Sequence, residues 1–186
     1  ENLNKKFQIS SESAGLSTGM IRQTVDESLT KMITISDNYS ALLLTSKIRL
    51  SSVSDFLKAN GFNESKVTTN GDHPSTTASD IELFFEKLYK GQLGNEESTE
   101  EMISLLKKQR LNDKLPKYLP DSLVMAHKTG EIDWYTHDAG IVYSSAGDYI
   151  IAALSESNYP PGAEERIGGV SKRVYDFFSG TADRLR

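Results

Sequence analysis

The spacing of hydrophobic residues changes period along this chain, and that change limits the folds open to it. Before about residue 110 the apolar residues recur at helical spacing. They then gather into three short runs rich in Val, Ile, Ala and Tyr, at 122–129, 138–144 and 149–155. Ala146-Gly147-Asp148 lies between the last two runs, as a tight hairpin demands. Helical spacing returns at about 164–178 with Ile167, Val170, Val174, Phe177 and Phe178. A helical block, three antiparallel strands and a closing helix predict an α/β architecture, an antiparallel sheet flanked by helices. No repeat, low-complexity tract or linker interrupts it. One domain is therefore expected over 1–186, with a helical block at about 18–110, a sheet at about 122–156 and a C-terminal helix at about 164–180.

The helical block carries its own punctuation. Thr24-Val25-Asp26-Glu27 reads as a capping box ahead of a stripe of Val25, Leu29, Met32 and Ile33. A second helix follows Ser36-Asp37-Asn38; Ala41, Leu42, Leu43, Leu44 and Ile48 predict that it is fully buried. Ser52 should cap a short helix stopped by Asn60-Gly61. After a polar loop at 62–76, Thr77 should open a helix ended by Gly91, and Ser98-Thr99-Glu100-Glu101 another. Pro116 and Pro120 fence the next turn, and a short strand is expected at 7–10.

Composition removes several function classes. The 21 Lys+Arg against 26 Asp+Glu leave a net charge of −5, with 37% hydrophobic residues. That balance excludes disorder. Its mild acidity argues against a nucleic-acid partner, which needs a basic face. No run approaches the roughly 20 apolar residues of a membrane span, and the polar opening Glu1-Asn2-Leu3-Asn4 shows no signal peptide. The absence of Cys removes thiol catalysis, disulfides and Cys-based zinc sites, and leaves the compartment open.

Two tripeptides carry chemistry. Ser36-Asp37-Asn38 lies between two helices and Lys128-Thr129-Gly130 ends a strand. Each alone is an ordinary helix stop or strand end. Together and in this order they resemble the serine β-lactamase and penicillin-binding protein superfamily, whose signatures are S-x-x-K, S-D-N and K-T-G. The likeness is closest to class A β-lactamases. It extends to Met32-Ile33-Thr34-Ile35 before S-D-N and to Thr76-Thr77-Ala78 opening a helix that ends Lys90-Gly91-Gln92-Leu93. It also takes in His127 and Glu131 around K-T-G, and the later run Asp138-Ala139-Gly140-Ile141-Val142.

The resemblance implies roles. Ser36 and Lys128 would be catalytic: Ser36 relaying a proton to a leaving nitrogen, Lys128 supplying positive potential and keeping Ser36 basic enough to pass it. Asn38 would hydrogen-bond the substrate amide, Thr129 its carboxylate, and the Glu131 N–H an oxyanion. Gly130 would leave room for substrate to lie along the strand. Asp37 would be structural, holding the loop between helices.

Two departures accompany it. The S-x-x-K nucleophile of the family lies upstream of S-D-N. Here only Ser28-Leu29-Thr30-Lys31 and Ser104-Leu105-Leu106-Lys107 match, and both are expected to be solvated chance matches. The nucleophile helix and the two N-terminal strands of the family sheet are thus expected to be missing, leaving part of the sheet uncovered. The loop at 62–74 has no E-x-x-L-N; Glu64 is its sole glutamate and a weak candidate for the deacylation base.

Other chemistries weigh less. His73, His127 and His137 show no metal-ligand spacing, so no metal and no cofactor is expected. A Ser-His-Asp triad built from distant positions stays open, although no G-x-S-x-G elbow is present. Gly168-Gly169 lacks a phosphate-loop pattern, Tyr39 should pack, and Trp134 and Tyr135 are equally divided between lining the cleft and packing a turn. The resemblance implies a serine acyl-transfer hydrolase acting on β-lactams or cell-wall peptides, secreted, periplasmic or at the cell surface. On its own the chain is expected to be inactive, completed by an N-terminal fragment or a second chain. The alternative is a non-catalytic binding or scaffold domain with the same fold.

Overall fold

Capping chemistry sets where the helices begin. The computed structural model describes residues 22–67 and 74–184, so the strand expected at 7–10 and His73 lie outside the described residues. Thr24 opens α1 (Val25–Ile35): its hydroxyl accepts the Glu27 N–H at 3.1 Å and Glu27 Oε2 accepts the Thr24 N–H at 2.7 Å. Asp37 opens α2 (Asn38–Ile48), accepting the Ser40 N–H at 2.8 Å. After α3 (Leu50–Ala59), Thr77 opens α4 (Ala78–Tyr89).

Two starts differ from expectation. The helix α5 (Glu96–Leu106) is capped by Asn95, whose side chain accepts the Ser98 N–H, so the Ser98 box lies inside the helix. Asn95 leads the stronger caps and comes first. In α3 the start falls at Leu50 with no side-chain cap, after Arg49 in a left-handed turn at φ 59°; Ser52 is inside the helix. A further correction concerns α2. Only Tyr39, Ser40 and Leu44 are buried, and Ile48 is 55% exposed.

The sheet is antiparallel, in the order β1 (Val124–Ile132), β2 (Tyr135–Tyr143), β3 (Tyr149–Glu156). Lys128-Thr129-Gly130 falls inside β1 rather than at its end. The two-residue turn Asp133-Trp134, with Asp133 at φ 50°, extends both strands beyond the apolar runs and pairs Lys128 with Ala139 and Thr129 with Asp138. Alternation then assigns the faces. Ala126, Ala139 and Ile141 pack with Phe85, Leu88 and Leu106 of α4 and α5. On the opposite face Met125 and Val142 pack with Leu115 and with Ile167 of the closing helix α6 (Pro160–Arg184). Burying each large apolar side chain contributes about 1.5–3 kcal/mol. Among the described residues, neither the outer edge of β1 nor that of β3 is paired within the sheet.

One glycine is obligatory here. A Cβ on Gly140 would stand 2.4 Å from the Ala126 carbonyl oxygen and 2.5 Å from His127 Cβ. Its absence lets β1 and β2 close over the His127 ring. Gly140→Ala is expected to lower stability by about 3 kcal/mol, read as a fall in the denaturant midpoint; an unchanged midpoint would show that the strands part at no cost.

Candidate active site

The unpaired edge of β1 forms one wall of a cleft of about 450 Å3. Lys128, Thr129, Gly130 and Glu131 line that wall, and Ser36, Asp37 and Asn38 line the opposite one. The two tripeptides therefore converge. The Lys128 ammonium donates to the Ser36 hydroxyl across 92 residues of sequence, and to the Thr129 carbonyl at 2.7 Å.

Ser36 is placed by its backbone. It caps α1 in the left-handed conformation, φ 53° and ψ 41°, and the Asp37 N–H returns to the Lys31 carbonyl at 3.2 Å. A non-glycine residue there costs about 1–2 kcal/mol. Two further bonds hold the end of α1: Gln109 Nε2 donates to the Ile33 carbonyl at 2.7 Å and the Arg110 N–H to the Thr34 carbonyl at 2.9 Å. Asp37 spends its carboxylate within its own wall of the cleft. Its Oδ2 accepts the Ser40 hydroxyl at 2.6 Å, and that hydroxyl also reaches Gln23 at 2.9 Å.

Burial pushes the Lys128 ammonium below the ordinary lysine range; Asp138 and Glu131 pull it back, and Lys114 adds to the fall. The unfolded chain therefore holds this proton more tightly. The resulting stability penalty is relieved as pH rises through the folded value towards the unfolded one. A lysine so placed can lose and regain a proton more readily than a solvated one.

Lys114 escaped the sequence reading, and so did the pairing of His127 with Asp138. Lys114, its side chain 0% exposed, is held between Asp113, at 3.0 Å, and Glu131, and so draws the Glu131 side chain to the end of β1. Burial lowers its hold on a proton, but those two carboxylates more than offset the effect, and its pKa is raised. Buried His127 and Asp138 meet across the strands, Nδ1 to Oδ1 at 2.9 Å, and Asp138 Oδ2 accepts the Leu115 N–H at 3.0 Å. The register set by the Asp133-Trp134 turn makes that pair diagonal neighbours. Finding the turn was the missing step, because it contains neither Gly nor Asn.

Other candidates lie elsewhere. Glu64 is exposed and is not among the cleft-lining residues; its carboxylate accepts the Thr77 hydroxyl at 3.1 Å, and buried Asp80 holds the Glu64 and Ser65 N–H groups at 3.0 and 2.7 Å. Trp134 and Tyr135 are exposed at the hairpin tip and do not line the cleft. Ser28 is buried, bonded to the Thr24 carbonyl at 2.8 Å, which corrects its expected solvation; Ser104 is exposed. Among the described residues, Asp113, Glu131 and Glu164 place carboxylate oxygens within 4.8 Å of one another, and the Lys114 ammonium bonds two of the three. A second cavity of about 530 Å3 adjoins the cleft through Lys128, Thr129 and Gly130. It is otherwise walled mainly by apolar side chains such as Leu29, Ile33, Phe84, Met102 and Leu105.

A cleft of this kind on this fold is that of the serine β-lactamase and penicillin-binding protein superfamily. The model of the β-lactamase enzyme family matches residues 2–178, and the chain belongs to that family. Among solved structures, a β-lactamase from Sphaerobacter thermophilus DSM 20745 superposes with a TM-score of 0.80 at 23% identity, over 88% of this chain and 66% of its own. An acyl-enzyme complex of a PBP-A variant with penicillin G gives 0.80 at 25% identity, over 88% and 65%. The TLA-3 extended-spectrum β-lactamase gives 0.79 at 21%, over 94% and 68%. The chain thus spans about two thirds of the length of these relatives. No curated protein sequence matches it. No described helix is long and apolar enough to cross a membrane.

The backbone of Ser36 gives a direct test. Ser36→Gly and Ser36→Ala both delete the hydroxyl, and only the glycine relieves the left-handed strain. The glycine variant should be the more stable by about 1 kcal/mol in denaturant unfolding; equal stabilities would show that the backbone there is unstrained.

Proposed function

We propose that this chain is the S-D-N and K-T-G portion of a serine acyl-transfer hydrolase acting on β-lactams or cell-wall peptides. The observation that carries the reading is the Lys128 ammonium donating to the Ser36 hydroxyl at the open edge of β1. In the reaction a serine hydroxyl attacks the lactam or peptide carbonyl and gives up its proton, the C–N bond breaks, and Ser36 relays that proton to the leaving nitrogen, keeping its own hydroxyl intact. Lys128 holds positive potential beside Ser36 and supports that transfer. Substrate lies along β1, with Thr129 at its carboxylate, Asn38 at its amide and the Glu131 N–H at the developing oxyanion. Gly130 gives it room, and Asp37 keeps the α1–α2 turn closed. Glu64 is a weak candidate for deacylation, so acyl-enzyme release is expected to be slow.

The attacking serine comes from an S-x-x-K segment outside this sequence, upstream or on a separate chain, that seats on the apolar cavity. Support comes from the cavity adjoining Lys128 and from the shorter span of this chain against its relatives. On this reading residues 1–186 form one partial domain, exported to the cell surface or periplasm, and need no cofactor. The alternative, a binding or scaffold domain, predicts no covalent chemistry.

Incubation with a fluorescent penicillin, read by intact mass, separates the two. The chain alone should show no adduct, and the chain completed with its S-x-x-K segment should gain one. A completed protein that stays unmodified would refute the hydrolase. Lys128→Ala in the completed protein should slow acylation by about 100-fold; an unchanged rate would remove Lys128 from the chemistry.

A further inference from the structure

Ser36 and Lys128 stand on separate elements, and one short segment touches the supports of both. Gln109 and Arg110 bind the last carbonyls of α1, just before Ser36. Three to six residues later the same segment binds the sheet beneath Lys128: Asn112 Oδ1 lies 3.2 Å from His127 Nε2, and the Leu115 N–H donates to Asp138. Asp138 closes the ring by accepting His127 Nδ1–H, one residue before Lys128. Its carboxylate is fully buried, so each bond is sheltered from water.

We propose that Asp138 is the positioning residue of the Ser36–Lys128 pair, acting as the knot whose two carboxylate oxygens tie β1 to the 109–115 segment. This inference rests on reading Ser36 and Lys128 as the proton-handling pair. It adds a reason for a carboxylate on the far face of the sheet from that pair. An amide could not tie the same knot: its one oxygen would accept one of the two N–H groups, and its NH2 would meet the other. The charged groups acting on Lys128 are Asp138 from β2, Glu131 from β1 and Lys114 from the 109–115 segment; α1 contributes the uncharged Ser36 hydroxyl. Glu131 is already bonded to Lys114, so Asp138 is the main counter-charge to the half-buried ammonium.

The test uses the chain as it stands, labelled with 13C-lysine, and no β-lactam. In Asp138→Asn the amide keeps the shape and loses one of the two acceptors. The nuclear Overhauser contact between Lys128 Hε and Ser36 Hβ should weaken in a folded chain. A folded variant with that contact undiminished overturns the positioning role. Gln109→Ala tests the tie from the opposite end without touching β1. It should weaken the nuclear Overhauser contact between Lys128 Hε and Ser36 Hβ in a folded chain, and a contact of undiminished strength overturns the ring. If Asp138→Asn does not fold, the Gln109→Ala result decides. Failure here leaves penicillin acylation of the completed protein untouched, and failure of that acylation leaves these changes in contact in place, so the two readings fall separately.

Discussion

An ammonium taken out of water must find partners or lose its proton. Lys128 is in that position: burial opposes its charge, and the fold answers with the Ser36 hydroxyl, the Thr129 carbonyl and the field of Asp138. Much of the local architecture follows from that requirement. The helix α1 ends in a left-handed serine so that a hydroxyl faces the strand. Gly140 lacks a side chain, and the ring of His127 can lie over it towards Asp138. The segment after α5 spends its polar groups on both sides of the cleft instead of on solvent.

The parts legible in the sequence were those fixed by local chemistry. Thr24 with Glu27 announced α1, and Gly147 the second hairpin. The meeting of Ser36 with Lys128 was legible because their two tripeptides belong to one family signature. What stayed hidden depended on long-range register. A two-residue turn without glycine concealed the β1–β2 hairpin, and with it the His127–Asp138 pair. Lys114 looked like one more surface lysine, because nothing local marks a cation that Asp113 and Glu131 will neutralise. The greasy run in α2 was misread in the other direction. Leu42 and Leu43 are half-buried, and Leu44 alone of its leucines is buried.

Among the described residues nothing pairs the outer edge of β3, and the apolar cavity lies directly behind Lys128. Cavity and cleft share Lys128, Thr129 and Gly130 as lining residues, so a change in one reaches the other.

The hairpin tip bears on how the molecule can be watched. The sequence has a single tryptophan, Trp134, and it is 57% exposed on the turn that joins β1 to β2. Its emission therefore reports on water at that tip rather than on the core. Heating or denaturant would melt the sheet with little change of colour, so circular dichroism is the sounder monitor of global unfolding. A quencher in solution, by contrast, reads the mobility of the very strand along which a substrate would lie.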